Sequence, residues 1–184
     1  MYHFIGLSYL PNVLHRRGLW CRSQLCQWED DFDDDPSKWG HAEKAAAFGR
    51  YISCSVNPPM GMLTKQKRPV LVKLDPSIVT GPGVVFIGKW SSFADVLPEE
   101  ALRQSGVEWF DKMFLNDQTN HCSPHPGEFL VPQHIPLDDL LGLVFYSDAD
   151  QREGLNNLVL PKKLDISVQP WRFGRKMQQE ELDQ

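Results

Sequence analysis

Apolar positions along this chain come in short bursts separated by turn residues, and their spacing separates strands from helices. Tyr2 to Ile5 is an aromatic and β-branched run that predicts an opening strand. From Ser8, a residue type that caps helices, Leu10, Val13 and Leu14 recur at helical spacing up to a stop at Gly18. The Ala-rich stretch His41 to Phe48 predicts a second helix closed by Gly49. Arg50 to Asn57, alternating around Tyr51, Ile52 and Val56, predicts a strand that Pro58-Pro59 ends. Val70 to Leu74 and Val84 to Ile87 read as two further strands, with Gly81-Pro82-Gly83 as the turn before the second. Leu97 to Ser105 and Val107 to Leu115 have helical spacing broken at Gly106, and Asn116 to Gly127 is polar and turn-rich. Phe129 to Val131 predicts a buried strand, Leu137 to Leu141 a helical turn, and Leu143 to Tyr146 another strand. Asp148 to Leu158 reads as a surface helix and Leu164 to Val168 as a last strand before Trp171 and Phe173. Strands and helices interspersed without regular alternation predict an α+β fold with a mainly antiparallel sheet.

Length and composition narrow this picture. At 184 residues with 41% hydrophobic side chains, the expectation is one domain over residues 1–176 with a core of its own, followed by a frayed Gln/Glu-rich tail over 177–184. No run approaches the roughly 20 apolar residues of a membrane span. Met1-Tyr2-His3-Phe4 lacks a basic segment followed by an apolar one, so a cytoplasmic location and no membrane contact are expected. Cys21, Cys26, Cys54 and Cys122 show no short paired spacing, which argues against a disulfide framework. His121 or His125 beside Cys122 is a weak zinc alternative, and no metal is expected.

The net charge of −5 argues against a protein that coats duplex DNA by bulk attraction. Local basic clusters remain at His15-Arg16-Arg17 with Arg22, Lys65 to Arg68, Lys162-Lys163 and Arg172 to Lys176, either as a groove or as surface decoration. Glu29 to Asp35 is nearly all acidic and reads as a solvated loop; it has no glycine at the turn a calcium loop requires.

The chain contains neither G-x-G-x-x-G nor G-x-x-x-x-G-K-[ST], and neither G-x-S-x-G nor His-Glu-x-x-His, which removes the common dinucleotide, P-loop, hydrolase and zinc-protease signatures. One carboxylate stands out. Glu128 follows a loop holding Pro124, Pro126 and Gly127 and enters the apolar strand Phe129-Leu130-Val131, a costly place for an idle charge. It is a candidate catalytic residue, with the plain alternative that it caps a strand edge.

Four segments, in order from Tyr2 to about Phe173, resemble the DarT-type ADP-ribosyltransferase toxins. Tyr2-His3-Phe4, Leu10-Pro11-Asn12-Val13-Leu14 and Gly18-Leu19 are similar to that family's Y-H-x, N-L-P-x-I-L and G-L. Tyr51-Ile52, Asn57-Pro58-Pro59-Met60 and Met62-Leu63 resemble Y-V-P-F-Y-F-N-P-x-x-P-M-L. Glu128-Phe129-Leu130-Val131-Pro132 with Ile135-Pro136 resembles E-F-L-V then V-P, and Val168 to Phe173 resembles V-x-P-x-W-Y-F.

The resemblance implies an ADP-ribosyltransferase-like split antiparallel β core with flanking helices, whose cleft holds NAD as co-substrate. It implies that Glu128 is the glutamate beside the scissile nicotinamide–ribose bond, where a carboxylate stabilises the positive charge that develops on the ribose. His3 and Asn12 match positions that contact the cofactor. Arg50 is taken as a second catalytic residue that steadies the pyrophosphate or ribose, with Arg22 competing for the role. Two departures stand out. Ser53-Cys54-Ser55 replaces the family's aromatics and resembles the S-x-S of other ADP-ribosyltransferases, which implies hydroxyls that support the ribose pocket; Ser53 and Ser55 share one strand face. The acidic run Glu29 to Asp35 would repel phosphates.

The leading expectation is therefore transfer of ADP-ribose to a base of single-stranded DNA, as a toxin or defence effector, with a macrodomain antitoxin as partner and Trp39, Trp90 or Trp109 as stacking platforms. The alternatives are the same fold acting on RNA or protein or hydrolysing NAD, and an inactive NAD-fold binding module.

Overall fold

The computed structural model describes residues 1–28, 47–56, 58, 63, 67–87, 128–161 and 163–173. Among them the chain runs through β1 (Tyr2–Gly6), a 3-10 turn at Leu7–Tyr9, α1 (Leu10–His15), β2 (Gly18–Trp20), α2 (Arg22–Trp28), β3 (Tyr51–Ser55), β4 (Pro69–Leu74), β5 (Val85–Ile87), β6 (Glu128–Pro132), β7 (His134–Pro136), β8 (Leu140–Phe145), α3 (Asp148–Leu155) and β9 (Asp165–Val168). These elements fall into two compact units, one built from Met1–Gly18, Asn57–Asp75 and Leu137–Gln184, the other from Leu19–Val56 and Pro76–Pro136.

In the first unit β1 pairs antiparallel with β4 and β4 antiparallel with β8, while β8 and β9 run parallel. The register sets Phe4 opposite Leu71 and Leu71 opposite Val144. Because side chains alternate across a strand, that face gathers Leu63, Leu71, Val144 and Phe173, with Tyr2, Phe4 and Tyr146 packed against them. Phe145 and Phe173 are fully buried; truncating either to alanine costs about 3–5 kcal/mol. Strand β9 can approach β8 because position 142 is glycine: a Cβ there would stand 2.5 Å from the Asp165 carbonyl oxygen.

Helix α3 is docked at both ends. The Ser147 side chain caps it by accepting from the Asp150 N–H. Arg68 donates to Asp150 at 2.7 Å and, through both terminal nitrogens, to Glu153 at 2.7 Å. Gly154 then lies so close to Leu7 and Phe145 that a Cβ would meet the Leu7 Cδ1 at 2.5 Å.

In the second unit β5, β6 and β3 form antiparallel pairs, with β6 in the middle. Phe48, Val85, Ile87 and Leu130 form its core cluster, and Tyr51 packs against it. Strands β2 and β7 make a separate two-stranded ribbon. Gln133, with φ of 60°, turns the chain from β6 into β7; its N–H donates to the Arg50 carbonyl and its own carbonyl accepts from the Cys21 N–H. The Trp20 ring stacks on His134 at 3.9 Å between centroids, and Trp28 meets Trp20 edge-on.

Several expectations change. The opening helix is not capped by Ser8: a 3-10 turn comes first, Tyr9 is the N-cap, and Pro11 occupies the first turn, where its missing N–H costs nothing. Gly18 does more than stop that helix; Arg17 and Gly18 both take positive φ, reversing the chain, and Gly18 opens β2. Helix α2 and strands β2 and β7 were not foreseen, since three to seven residues are too few for a periodic pattern. The last strand pairs parallel with β8, within the mainly antiparallel sheet expected. Helix α3 ends at Leu155, not Leu158, and Asn157 sits at φ of 61° beyond it.

Of the predicted Ala-rich helix, residues 47 and 48 are helical and 49–50 form a turn. The acidic run 29–35, the helices at 97–105 and 107–115, the polar stretch 116–127 and the tail lie outside the described residues. Among the described residues Cys21, Cys26 and Cys54 take part in no disulfide. Among the described residues no helix is long and apolar enough to cross a membrane, and no three potential ligands cluster as a metal site.

Candidate active site

Glu128 is the first residue of β6, and the register fixes its neighbours: Ser55 of β3 on one side and Ile87 of β5 on the other. Directly opposite residues of an antiparallel pair share a face, as do residues two apart on one strand. Glu128 therefore shares its face with Ser53, Ser55, Ile87 and Leu130. Only 3% of Glu128 and 3% of Ser55 is exposed.

A carboxylate this deep costs several kcal/mol unless polar groups meet it. The Ser53 hydroxyl does so, donating to Oε1 of Glu128 from a diagonal position across the strand pair. The bond orients the carboxylate plane, and Leu130 and Ile87 wall the same face with apolar surface. The arrangement is a fixed negative group in a low-dielectric setting, which acts more strongly on a nearby developing cation than the same group would in water.

Cys54 lies between the two serines but points to the opposite face. Its thiol donates to the Ile52 carbonyl at 3.7 Å. Burial, together with the negative charge of Glu128, pushes its pKa far above the ordinary thiol value. Cys54 is thus a neutral, buried side chain and no nucleophile.

The other residues nominated from sequence are distributed as follows. Arg50 is exposed and immediately precedes β3, with its carbonyl bonded to Gln133. The strand from Tyr51 to Ser55 covers about 13 Å at ~3.3 Å per residue, so Arg50 stands at the far end of β3 from the Ser55–Glu128 pair. Arg22, half-buried, opens α2 in the same unit, where the neighbouring Ser23 N–H donates to the Gly49 carbonyl. His3 and Asn12 belong to the first unit. His3 is half-buried on β1 opposite Val72, with its ring beside Phe4. Asn12 is half-buried in α1, where its carbonyl accepts from the Arg16 N–H.

The sheet thus brings Ser53, Ser55 and Glu128 together on one face of three strands. Ile87, the apolar neighbour of Glu128, carried no sign of this role in the sequence, because only the β5–β6 register reveals it. Trp39, Trp90 and Trp109 lie outside the described residues.

No family model and no curated protein matches the chain. Its fold matches solved structures. Thermus sp. 2.9 DarT in complex with NAD+ aligns with a TM-score of 0.60 at 14% identity, covering 94% of this chain and 96% of that one. Thermus sp. 2.9 DarT in complex with ADP-ribosylated ssDNA aligns at 0.62 and 14% identity, with 94% of each chain covered. Thermosipho africanus DarTG in complex with ADP-ribose aligns at 0.63 and 12% identity over 94% of this chain and 50% of that one. The chain therefore has an α+β ADP-ribosyltransferase-like fold.

Proposed function

We propose that the chain is an NAD-dependent ADP-ribosyltransferase that modifies a base of single-stranded DNA. The observation that carries this reading is the buried Glu128 carboxylate, held by the Ser53 hydroxyl on a strand pair of a fold shared with structures bound to NAD+ and to ADP-ribosylated DNA. Cleaving the nicotinamide–ribose bond places positive charge on the ribose. Glu128 stabilises that charge and anchors a ribose hydroxyl, and Ser53 keeps the carboxylate from turning away. Ser55, directly opposite Glu128, places a second hydroxyl on the same strand face. NAD brings the leaving group and the electrophilic carbon, so this step calls for no metal.

His3, Asn12, Arg22 and Arg50 are assigned to the cofactor on the family resemblance. Arg50 serves the pyrophosphate in this scheme, since its place beyond the far end of β3 suits a phosphate contact better than one with the Glu128 carboxylate. A toxin or defence role in the cytoplasm, with a macrodomain antitoxin that removes the modification, completes the proposal. The likeness to half of the Thermosipho africanus DarTG chain supports such a pairing.

The test is incubation of the purified protein with labelled NAD and, separately, single-stranded DNA, RNA and protein acceptors. Label on the single-stranded DNA supports the proposal. Label on RNA or protein alone, or release of nicotinamide with no labelled acceptor, replaces the DNA reading with another activity of the same fold. No turnover and no NAD binding would leave only an inactive binding module.

A further inference from the structure

The 3-10 turn Pro170–Phe173, the last described element of the first unit, holds two aromatic residues in opposite environments. Phe173 is fully buried in the core beside Leu71 and Val144 and meets Tyr146 edge-on. Trp171, two residues earlier, keeps 65% of its surface exposed. Phe173 therefore anchors the turn while Trp171 is held out on it. An exposed indole on an anchored turn loses little conformational entropy when a planar ligand stacks on it.

Arg172 lies between them and is locked in place. Its Nε donates to the Gln169 side-chain carbonyl at 2.9 Å and its Nη1 to the Tyr2 hydroxyl at 3.2 Å, with the guanidinium 5.7 Å from the Tyr2 ring centroid. Gln169 is itself fixed, its backbone N–H on the Phe145 carbonyl and its side-chain amide on the Ser167 hydroxyl. These partners of Arg172 are neutral. Arg68 in the same unit is different: Asp150 and Glu153 neutralise it. Among the described residues no carboxylate pairs with Arg172, so an oriented guanidinium keeps its charge on the residue that follows an exposed indole in the chain.

We propose that Trp171 and Arg172 form a contact for single-stranded DNA, with a base stacked on the Trp171 indole and a backbone phosphate on the Arg172 guanidinium. This deepens the proposed function and rests on it, naming where the first unit grips the acceptor strand. The chemistry matches on both counts: every base has a π-face that stacks on an aromatic side chain, and a planar guanidinium suits phosphate oxygens. A single oriented arginine is also how a chain of net charge −5 can hold a polyanion locally without a basic surface.

Fluorescence anisotropy with a short fluorescein-labelled, mixed-sequence single-stranded DNA tests the contact, with NAD affinity measured in parallel by calorimetry. Trp171→Ala should weaken DNA binding by roughly tenfold, the scale of one lost base–aromatic stack, and Trp171→Phe should restore most of it. Arg172→Gln should weaken binding and flatten its dependence on salt by about one phosphate contact. All three variants should bind NAD as the parent does. If the parent binds DNA and Trp171→Ala binds it equally well, this contact is overturned while the DNA reading stands. If the parent binds NAD but no single-stranded DNA at any salt concentration, the DNA reading and this contact fall together.

Discussion

The Ser53 hydroxyl donates to the Glu128 carboxylate from a position diagonal to it on the neighbouring strand, while Ser55 lies directly opposite. Two serines and one glutamate share a single strand face, and in the proposed chemistry the two hydroxyls have separable parts. Ser53→Ala removes the donor that orients the carboxylate, and transfer should fall by roughly tenfold, the share of one lost hydrogen bond of about 1–1.5 kcal/mol. Ser53→Thr keeps the hydroxyl on a residue favoured in strands and should restore most of the rate. Steady-state kcat/KM for both variants checks this; equal losses in Ala and Thr would mean packing, not the hydroxyl, is at work.

Helix α3 offers a test of the first unit's stability. Ser147→Ala deletes the cap on the Asp150 N–H and should cost about 1 kcal/mol in urea unfolding. An unchanged midpoint would show that the Arg68 contact to Asp150 holds the helix start without the cap.

The Arg68–Glu153 pair should make part of the stability depend on pH. The hydrogen bonds from Arg68 hold the Glu153 pKa below its ordinary value of 4.5. A depressed folded-state pKa means the contribution is complete above 4.5 and is lost as pH falls through the lower folded value. In a double-mutant cycle of Arg68→Ala and Glu153→Gln, the coupling measured at neutral pH should vanish in strong acid. As Glu153 is exposed and Arg68 partly so, high salt should weaken it as well.

Gly142→Ala should be poorly tolerated. The added methyl would have to displace the Asp165 backbone, 2.5 Å away, and overpacking of this kind typically costs 1–3 kcal/mol, about the value expected in urea unfolding. Gly6→Ala is the control, for there the nearest atom to a new Cβ is the Ser8 hydroxyl at 3.9 Å.

Much of this architecture was legible in the sequence where side chains advertise their burial. The β-branched and aromatic runs at Tyr2, Val70, Phe129 and Leu143 became β1, β4, β6 and β8, since such residues fit a half-buried pleated surface whatever the strand's partner. Short elements were silent: Gly18–Trp20 and His134–Pro136 are strands only because they pair with each other. The close approach of β9 depends on one glycine at 142, and its parallel direction leaves no local pattern. At the site, the odd position of Glu128 before an apolar strand and the shared face of Ser53 and Ser55 could be read directly. That the two meet could not, because β3 and β6 are far apart in sequence and a one-residue slip in their register would turn the serines to the other face.

The central claim is that the Glu128 charge, not its bulk, drives ADP-ribose transfer. Glu128→Gln keeps the size and an acceptor for the Ser53 hydroxyl while removing the negative charge. Turnover of labelled NAD onto single-stranded DNA should fall by roughly 10²-fold or more, with NAD affinity largely retained in calorimetry and the unfolding midpoint no lower than the parent's. Transfer at the parental rate by a folded, NAD-binding Glu128→Gln protein would contradict the account and leave Glu128 a structural residue of the strand.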